Sequence, residues 1–112
     1  KYTYKHNFTR IKKIVDYMQN HIFDQSLKIN TLHCIGEISD TYFRKLFKAS
    51  FGVTPQEYVT NKRLSQARAI ICNGDFNSIS DVALSVGYTD PLYFSRIFSK
   101  KYGVCPSQYR ER

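Results

Sequence analysis

No stretch of apolar residues in this chain approaches the roughly 20 that a membrane span requires, and its amino-terminal residues carry no signal-peptide pattern. A soluble protein with no membrane partner is the expectation. Cysteine is sparse: Cys34, Cys72 and Cys105 lie far apart without a C-x-x-C pair, and an odd count builds no disulfide framework. That usage fits a reducing cytoplasm, with all three expected to be structural thiols. His6, His21 and His33 form no i, i+4 pair, and His33-Cys34 has no second pair at metal-ligand spacing, so neither a metal nor a cofactor is expected. The chain also lacks a glycine-rich phosphate loop, a G-x-S-x-G elbow and any repeated carboxylate pair suited to acid-base work. These absences argue against an enzyme. No segment alternates with period two, so no sheet is expected.

Acidic residues are the remaining scarcity. There are 9 Asp and Glu against 17 Lys and Arg in 112 residues, a formal charge of +8, and the isoelectric point is near 9.5. An excess of that size on so short a chain points to a polyanionic partner, with nucleic acid ahead of an acidic membrane surface. A helical protein-interaction module with basic faces is the alternative. The length suits one compact domain, or two small lobes sharing a helix.

What the chain does have is an internal repeat. Tyr42-Phe43, Phe47, Gly52-Val53, Pro55 and Tyr58 recur 51 positions later as Tyr93-Phe94, Phe98, Gly103-Val104, Pro106 and Tyr109. Upstream, Ile29, Leu32 and Ile38 pair with Ile79, Val82 and Tyr88 at an offset of 50, so the second copy carries one extra residue near Asp90. An insertion there marks a loop. Each copy reads as a short helix, a turn and a second helix.

The punctuation predicts seven helices and an all-α fold. Phe8, Ile11, Ile14, Val15, Met18 and Ile22 form the stripe of a first amphipathic helix. Ile29, Leu32 and Ile35 mark a short second helix ending around Gly36, and Ser39 caps a third that runs to about Ser50 before Gly52. Thr54-Pro55-Gln56-Glu57 is a capping box with proline at the first helical position, launching a long helix to about Cys72 that Asn73-Gly74-Asp75 stops. Ser78 with Asp81 starts the fifth helix, Asp90-Pro91 the sixth, and Pro106 a last short turn. The expected division is a linker or tail over 1–7, a first helix-turn-helix lobe over 8–53, a connector helix over 54–73 and a second lobe over 74–112.

Projected at about 100° per residue, the third helix places Phe43 and Phe47 on its core face with Leu46 beside them. Thr41, Arg44, Lys45 and Lys48 fall opposite. In the sixth helix Phe94, Ile97, Phe98 and the stem of Lys101 share the inner face, and Leu92, Ser95, Arg96 and Ser99 point outward. The aromatic stripes read as core rather than as stacking platforms for bases. Two such units on a basic chain favour a recognition helix in each, suited to the major groove of double-stranded DNA.

These residues carry a resemblance. Ile79-Ser-Asp-Val-Ala83, Val86-Gly-Tyr88, Tyr93-Phe-Ser-Arg-Ile-Phe98, Tyr102-Gly-Val and Pro106-Ser-Gln-Tyr-Arg110 resemble the signature of the AraC/XylS family of bacterial transcription regulators. Arg63-Leu64-Ser65-Gln66-Ala67-Arg68 resembles its connector pattern. The match runs from about residue 8 to Arg110. It implies seven helices, two helix-turn-helix units joined by a long helix, successive major-groove segments as the target, and a role, most often as activator, alongside RNA polymerase. Some positions depart: His33 and Glu37 stand where the second copy has Ala83 and Gly87, Cys105 stands where the first has Thr54, Leu92 replaces a usually polar residue and Ser99 a usually basic one. In this family a separate amino-terminal domain commonly reads the signal. Lys1 in place of Met, with Lys1–His6 reading as the end of a linker, fits a regulator's DNA-binding half; a stand-alone regulator is the alternative.

The expected connector, from Pro55 to Cys72, would span roughly 27 Å at about 1.5 Å per residue, which suits recognition helices about one DNA turn apart. Two unlike units in one polypeptide imply an asymmetric site occupied by a monomer.

Overall fold

The computed structural model describes residues 2–109; Lys1 and the Arg110 of the family motif lie outside the described residues. It is all-α, with seven helices: α1 (Tyr2–Asn20), α2 (His33–Gly36), α3 (Asp40–Phe51), α4 (Pro55–Asn73), α5 (Ile79–Ser85), α6 (Pro91–Tyr102) and α7 (Pro106–Tyr109), with a 3-10 turn at Ile29–Thr31. No strand occurs among the described residues. None of the described helices is long and apolar enough to cross a membrane. The first helix begins at Tyr2, six residues before the apolar stripe that announces it, and so runs through most of the segment expected as a linker. The second helix is shorter than the apolar spacing implies, because Ile29–Thr31 forms a 3-10 turn that ends before His33.

The helix ends are set by the signals the sequence carries. Thr54 Oγ accepts from the Glu57 N–H at 3.1 Å, and a Glu57 carboxylate oxygen accepts from the Thr54 N–H at 3.0 Å, the reciprocal capping box that starts α4. The bond from the Thr54 backbone holds the Glu57 carboxyl below its usual range. This support is therefore present at neutral pH and is lost as pH falls through that lowered value. Gly52 and Gly103 end α3 and α6 in the same left-handed conformation, at φ 79° and 83°.

Contacts divide the chain into two compact units. The first comprises residues 1–22 and 27–60, the second residues 23–26 and 61–112. In the first, Ile14, Met18, Ile22, Leu32, Phe43, Phe47 and Val59 form the core. In the second, the core is Leu64, Ala67, Ile71, Val82, Ala83, Val86, Tyr88, Phe94 and Phe98. Each fully buried aromatic or large aliphatic contributes about 1.5–3 kcal/mol relative to exposure, before the entropy of ordering it is subtracted.

The repeat reaches further than the identities that reveal it. Ile14 and Met18 in α1 and Ile22 in the turn that follows it are buried, and Arg63, Ala67 and Ile71 are buried in α4, each 49 positions later. Each unit is closed by an aromatic from the helix that follows. Tyr58 meets Phe47 edge to face at 5.5 Å, and Tyr109 meets Phe98 edge to face at 5.6 Å. The hydroxyls of these tyrosines are bound from the equivalent position, by Gln19 in the first unit at 3.4 Å and by Arg68 in the second. The first turn of α4 thus does for the first unit what α7 does for the second.

Candidate nucleic-acid interface

Two short helices, α3 and α6, are each fixed at both ends and along one side, which decides what their other side can present. Ser39 Oγ accepts from the Tyr42 N–H at 3.1 Å. At the equivalent place Asp90 accepts from the Leu92 and Tyr93 N–H groups at 3.0 and 3.3 Å, with Pro91 opening the helix. Phe43 and Phe47 in α3, and Phe94 and Phe98 in α6, are completely buried. The rotation of each helix about its axis is therefore set by its own core.

On α3, Thr41, Lys45 and Lys48 are exposed. Arg44 is not on that open face: it sits at its edge, half-buried, with Nε donating to Asp40 Oδ2 at 2.9 Å. The projection places Arg44 nearer the aromatic side than Lys45, and Asp40, four residues earlier, is the partner the outward list overlooked. Lys48 lies close enough to Glu57 to help lower that carboxyl's pKa.

On α6, Leu92 is 78% exposed and Arg96 is exposed, its guanidinium carbon 5.8 Å from the Tyr93 ring. Ser95 and Ser99, expected to point fully outward, are half-buried. Ser95 occupies the position of Arg44, half-buried in both units, whereas Ser99 is half-buried where Lys48 of α3 is exposed. The sequence reading missed Lys100. It is exposed and lies about 40° around the helix from Arg96, and its spacing of four from Arg96 was the available signal. Lys101, expected to lay its stem on the inner face, is exposed as a residue, with Nζ donating to Asn61 Oδ1 at 3.1 Å and standing 5.7 Å from the Tyr102 ring. Tyr42 and Tyr93 occupy matching positions and are exposed to similar degrees, 37% and 40%.

The cysteines sit outside these faces. Cys34 and Cys72 are exposed and Cys105 is half-buried, all three as free thiols. Exposure of two of them corrects the expectation of structural thiols, since neither is built into a core. Ser107, whose hydroxyl lies 3.4 Å from the Cys105 sulfur, holds that thiol below its ordinary pKa.

A family model described as a helix-turn-helix domain matches residues 37–112, from the turn before α3 to the end of the chain. The chain belongs to the AraC/XylS family. Among curated AraC/XylS relatives, the regulatory protein PocR of Salmonella typhimurium is 31% identical over 104 residues, covering 93% of this chain and 34% of PocR. The C-terminal domain of AraT, a response regulator from Geobacillus stearothermophilus, superposes with a TM-score of 0.82 at 26% identity, over 91% of this chain and 84% of that one. The DNA-binding domain of AdpA, a global transcriptional factor solved with a target DNA, shares the fold at a TM-score of 0.80 and 23% identity, over 90% of this chain and 89% of that one. This chain spans about a third of the length of the curated relatives it matches. The family is one of transcription regulators.

Proposed function

We propose that the chain is the sequence-specific, double-stranded-DNA-binding part of a bacterial transcription regulator. It inserts α3 and α6 into successive major-groove segments of an asymmetric promoter site, acting in the cytoplasm as a monomer and in concert with RNA polymerase. The observation that carries this reading is the paired construction of α3 and α6. Each is capped by a side chain and closed by a left-handed glycine, and each buries two phenylalanines while leaving cationic groups exposed: Lys45 and Lys48 on one, Arg96 and Lys100 on the other. A net charge of +8 supplies the sequence-independent attraction to phosphate. Related domains of this fold include one solved on its target DNA.

The roles on the two helices differ by chemistry. Lys48 is a point charge at the last turn of α3, suited to a phosphate. Arg96, supported by the Tyr93 ring, offers a planar fork suited to a guanine edge, with Leu92 beside it for a thymine methyl. Counted over the outward sets, Arg44, Lys45 and Lys48 against Arg96 alone would make α3 dominate phosphate contact. The pairing of Arg44 and the exposure of Lys100 bring the two helices closer to parity.

Fluorescence anisotropy on selected and random duplexes across a salt series tests these roles. Lys48→Ala is expected to weaken both duplexes about equally and to reduce the salt slope by roughly one unit. Arg96→Ala is expected to cost about 1–3 kcal/mol on the selected site and to relax preference at one base pair. Equal losses on all sequences for Arg96→Ala would make Arg96 a phosphate clamp instead. A protein-interaction module would bind any duplex weakly and with little salt dependence, which separates the alternative.

A further inference from the structure

The ion pair at the start of α3 engages the arginine through Nε. Asp40 is the first residue of the helix, and its Oδ2 accepts from Nε of Arg44, one turn on, at 2.9 Å. Both side chains are partly withdrawn from water, with 38% of Asp40 and 40% of Arg44 exposed. The other carboxylate oxygen, Oδ1, is buried and accepts no hydrogen bond among the described residues. The matching positions in α6 are Pro91 and Ser95, so the second unit has no such pair.

Two consequences follow from guanidinium geometry. With Nε engaged, the two terminal nitrogens are the remaining donors, and together they form the end-on fork that matches O6 and N7 of guanine. The carboxylate also has little else to solvate it. If Arg44 left to meet a phosphate, Oδ1 would stay buried and Oδ2 would be left to water alone, which biases the pair against that exchange. A carboxylate at the tip of the helix further repels phosphate oxygens and disfavours a loosely docked, non-specific pose.

We propose that Asp40 is a positioning residue for base reading by the first recognition helix. It holds Arg44 by Nε and so commits this arginine to a base edge rather than to the phosphate backbone. The inference rests on the DNA-binding reading above and assigns a specificity role within the same site. It also explains why Arg44 lies at the edge of the helix rather than among the open cations.

The test is a double-mutant cycle on affinity, using a site selected from random duplexes and an unrelated duplex of equal length, each over a salt series. Asp40→Asn is expected to lower the ratio of selected to random affinity about tenfold. The salt slope on random DNA should steepen by roughly one unit as the released Arg44 takes a phosphate. Arg44→Ala should lower the ratio by a similar factor, and the double variant should match Arg44→Ala alone. The helix cap is Ser39, not Asp40, so Asp40→Asn leaves the start of α3 intact. Should Asp40→Asn nevertheless unfold, Arg44→Lys decides, because it keeps the charge and removes the fork: the ratio falls under this proposal, and an unchanged ratio overturns it. An unchanged ratio in Asp40→Asn, or independent additive losses in the double variant, overturns it equally. If the parent protein prefers no duplex over another, the DNA-binding reading fails first and this inference with it.

Discussion

Replacing Phe94 by alanine is expected to cost about 3–5 kcal/mol of stability, the usual range for truncating a fully buried phenylalanine. Phe94 has no exposed surface and stands between Tyr88 and Phe98, with ring centroids at 6.0 and 5.8 Å. The second core among the described residues is small, with nine buried residues, so the void is hard to close. Against a total stability of about 5–15 kcal/mol for a small domain, the loss threatens the whole second unit and with it the presentation of α6. Leu92→Ala, two residues away on the same helix, is the control. Leu92 is 78% exposed, and its removal should change stability by no more than about 0.5 kcal/mol. Urea unfolding of the two variants reads the contrast; a loss below about 1 kcal/mol for Phe94→Ala would mean that α6 is not seated as described.

The second large effect is expected at Gly87, in the turn between α5 and α6. Its φ of +109° lies outside the ordinary left-handed region, and an added Cβ would come within 2.7 Å of Arg63 Cζ and 2.8 Å of Nε. An arginine end can usually swing away. This one is only 7% exposed; its Nη2 donates to the Asp24 carbonyl at 2.8 Å, and its guanidinium carbon is 5.1 Å from the Tyr88 ring. Backbone strain of about 1–3 kcal/mol then adds to overpacking of similar size, so Gly87→Ala should destabilise by about 2–5 kcal/mol. The first unit provides the comparison. Glu37 holds the equivalent place at φ 58°, ψ 42°, a conformation a side chain tolerates at modest cost. Glu37→Gly should therefore be neutral or stabilise by up to about 1 kcal/mol, because the Arg10 bond there is to its carbonyl and survives the change. Thermal melts of both variants decide the matter: a harmless Gly87→Ala would show that Arg63 is free to move.

Legibility followed the kind of signal each feature leaves. The α2–α3 and α5–α6 units were visible because the closing glycines, the proline and the aromatics recur as identities, while the N-caps change residue but keep their mechanism. The extension of the repeat into α1 and α4 was hidden because burial recurs there without chemistry, with Ile14 matched by Arg63 and Met18 by Ala67. A buried arginine in a long helix reads as surface until its partners, Gly87 and the Asp24 carbonyl, are brought in from distant sequence. On the outward faces, Thr41, Lys45, Lys48, Leu92 and Arg96 were found by projection alone. Arg44, Ser95 and Ser99 were placed too far out because a projection has no neighbours in it, whereas Lys100 was legible from its spacing of four from Arg96. The start of α1 escaped because in residues 2–7 the stripe continues only through Tyr4, four before Phe8, with no capping signal ahead of it.

On the proposed reading, one chain reads DNA with two unlike helices. Sedimentation of the complex on a selected duplex of about two turns, combined with chemical protection of guanine N7 on both strands, tests it most directly. One protein per duplex and two adjacent, dissimilar blocks of major-groove protection are expected, with the block assigned to α6 lost selectively in Arg96→Ala. Obligate binding of two proteins to a single site, or protection confined to one block, would contradict it.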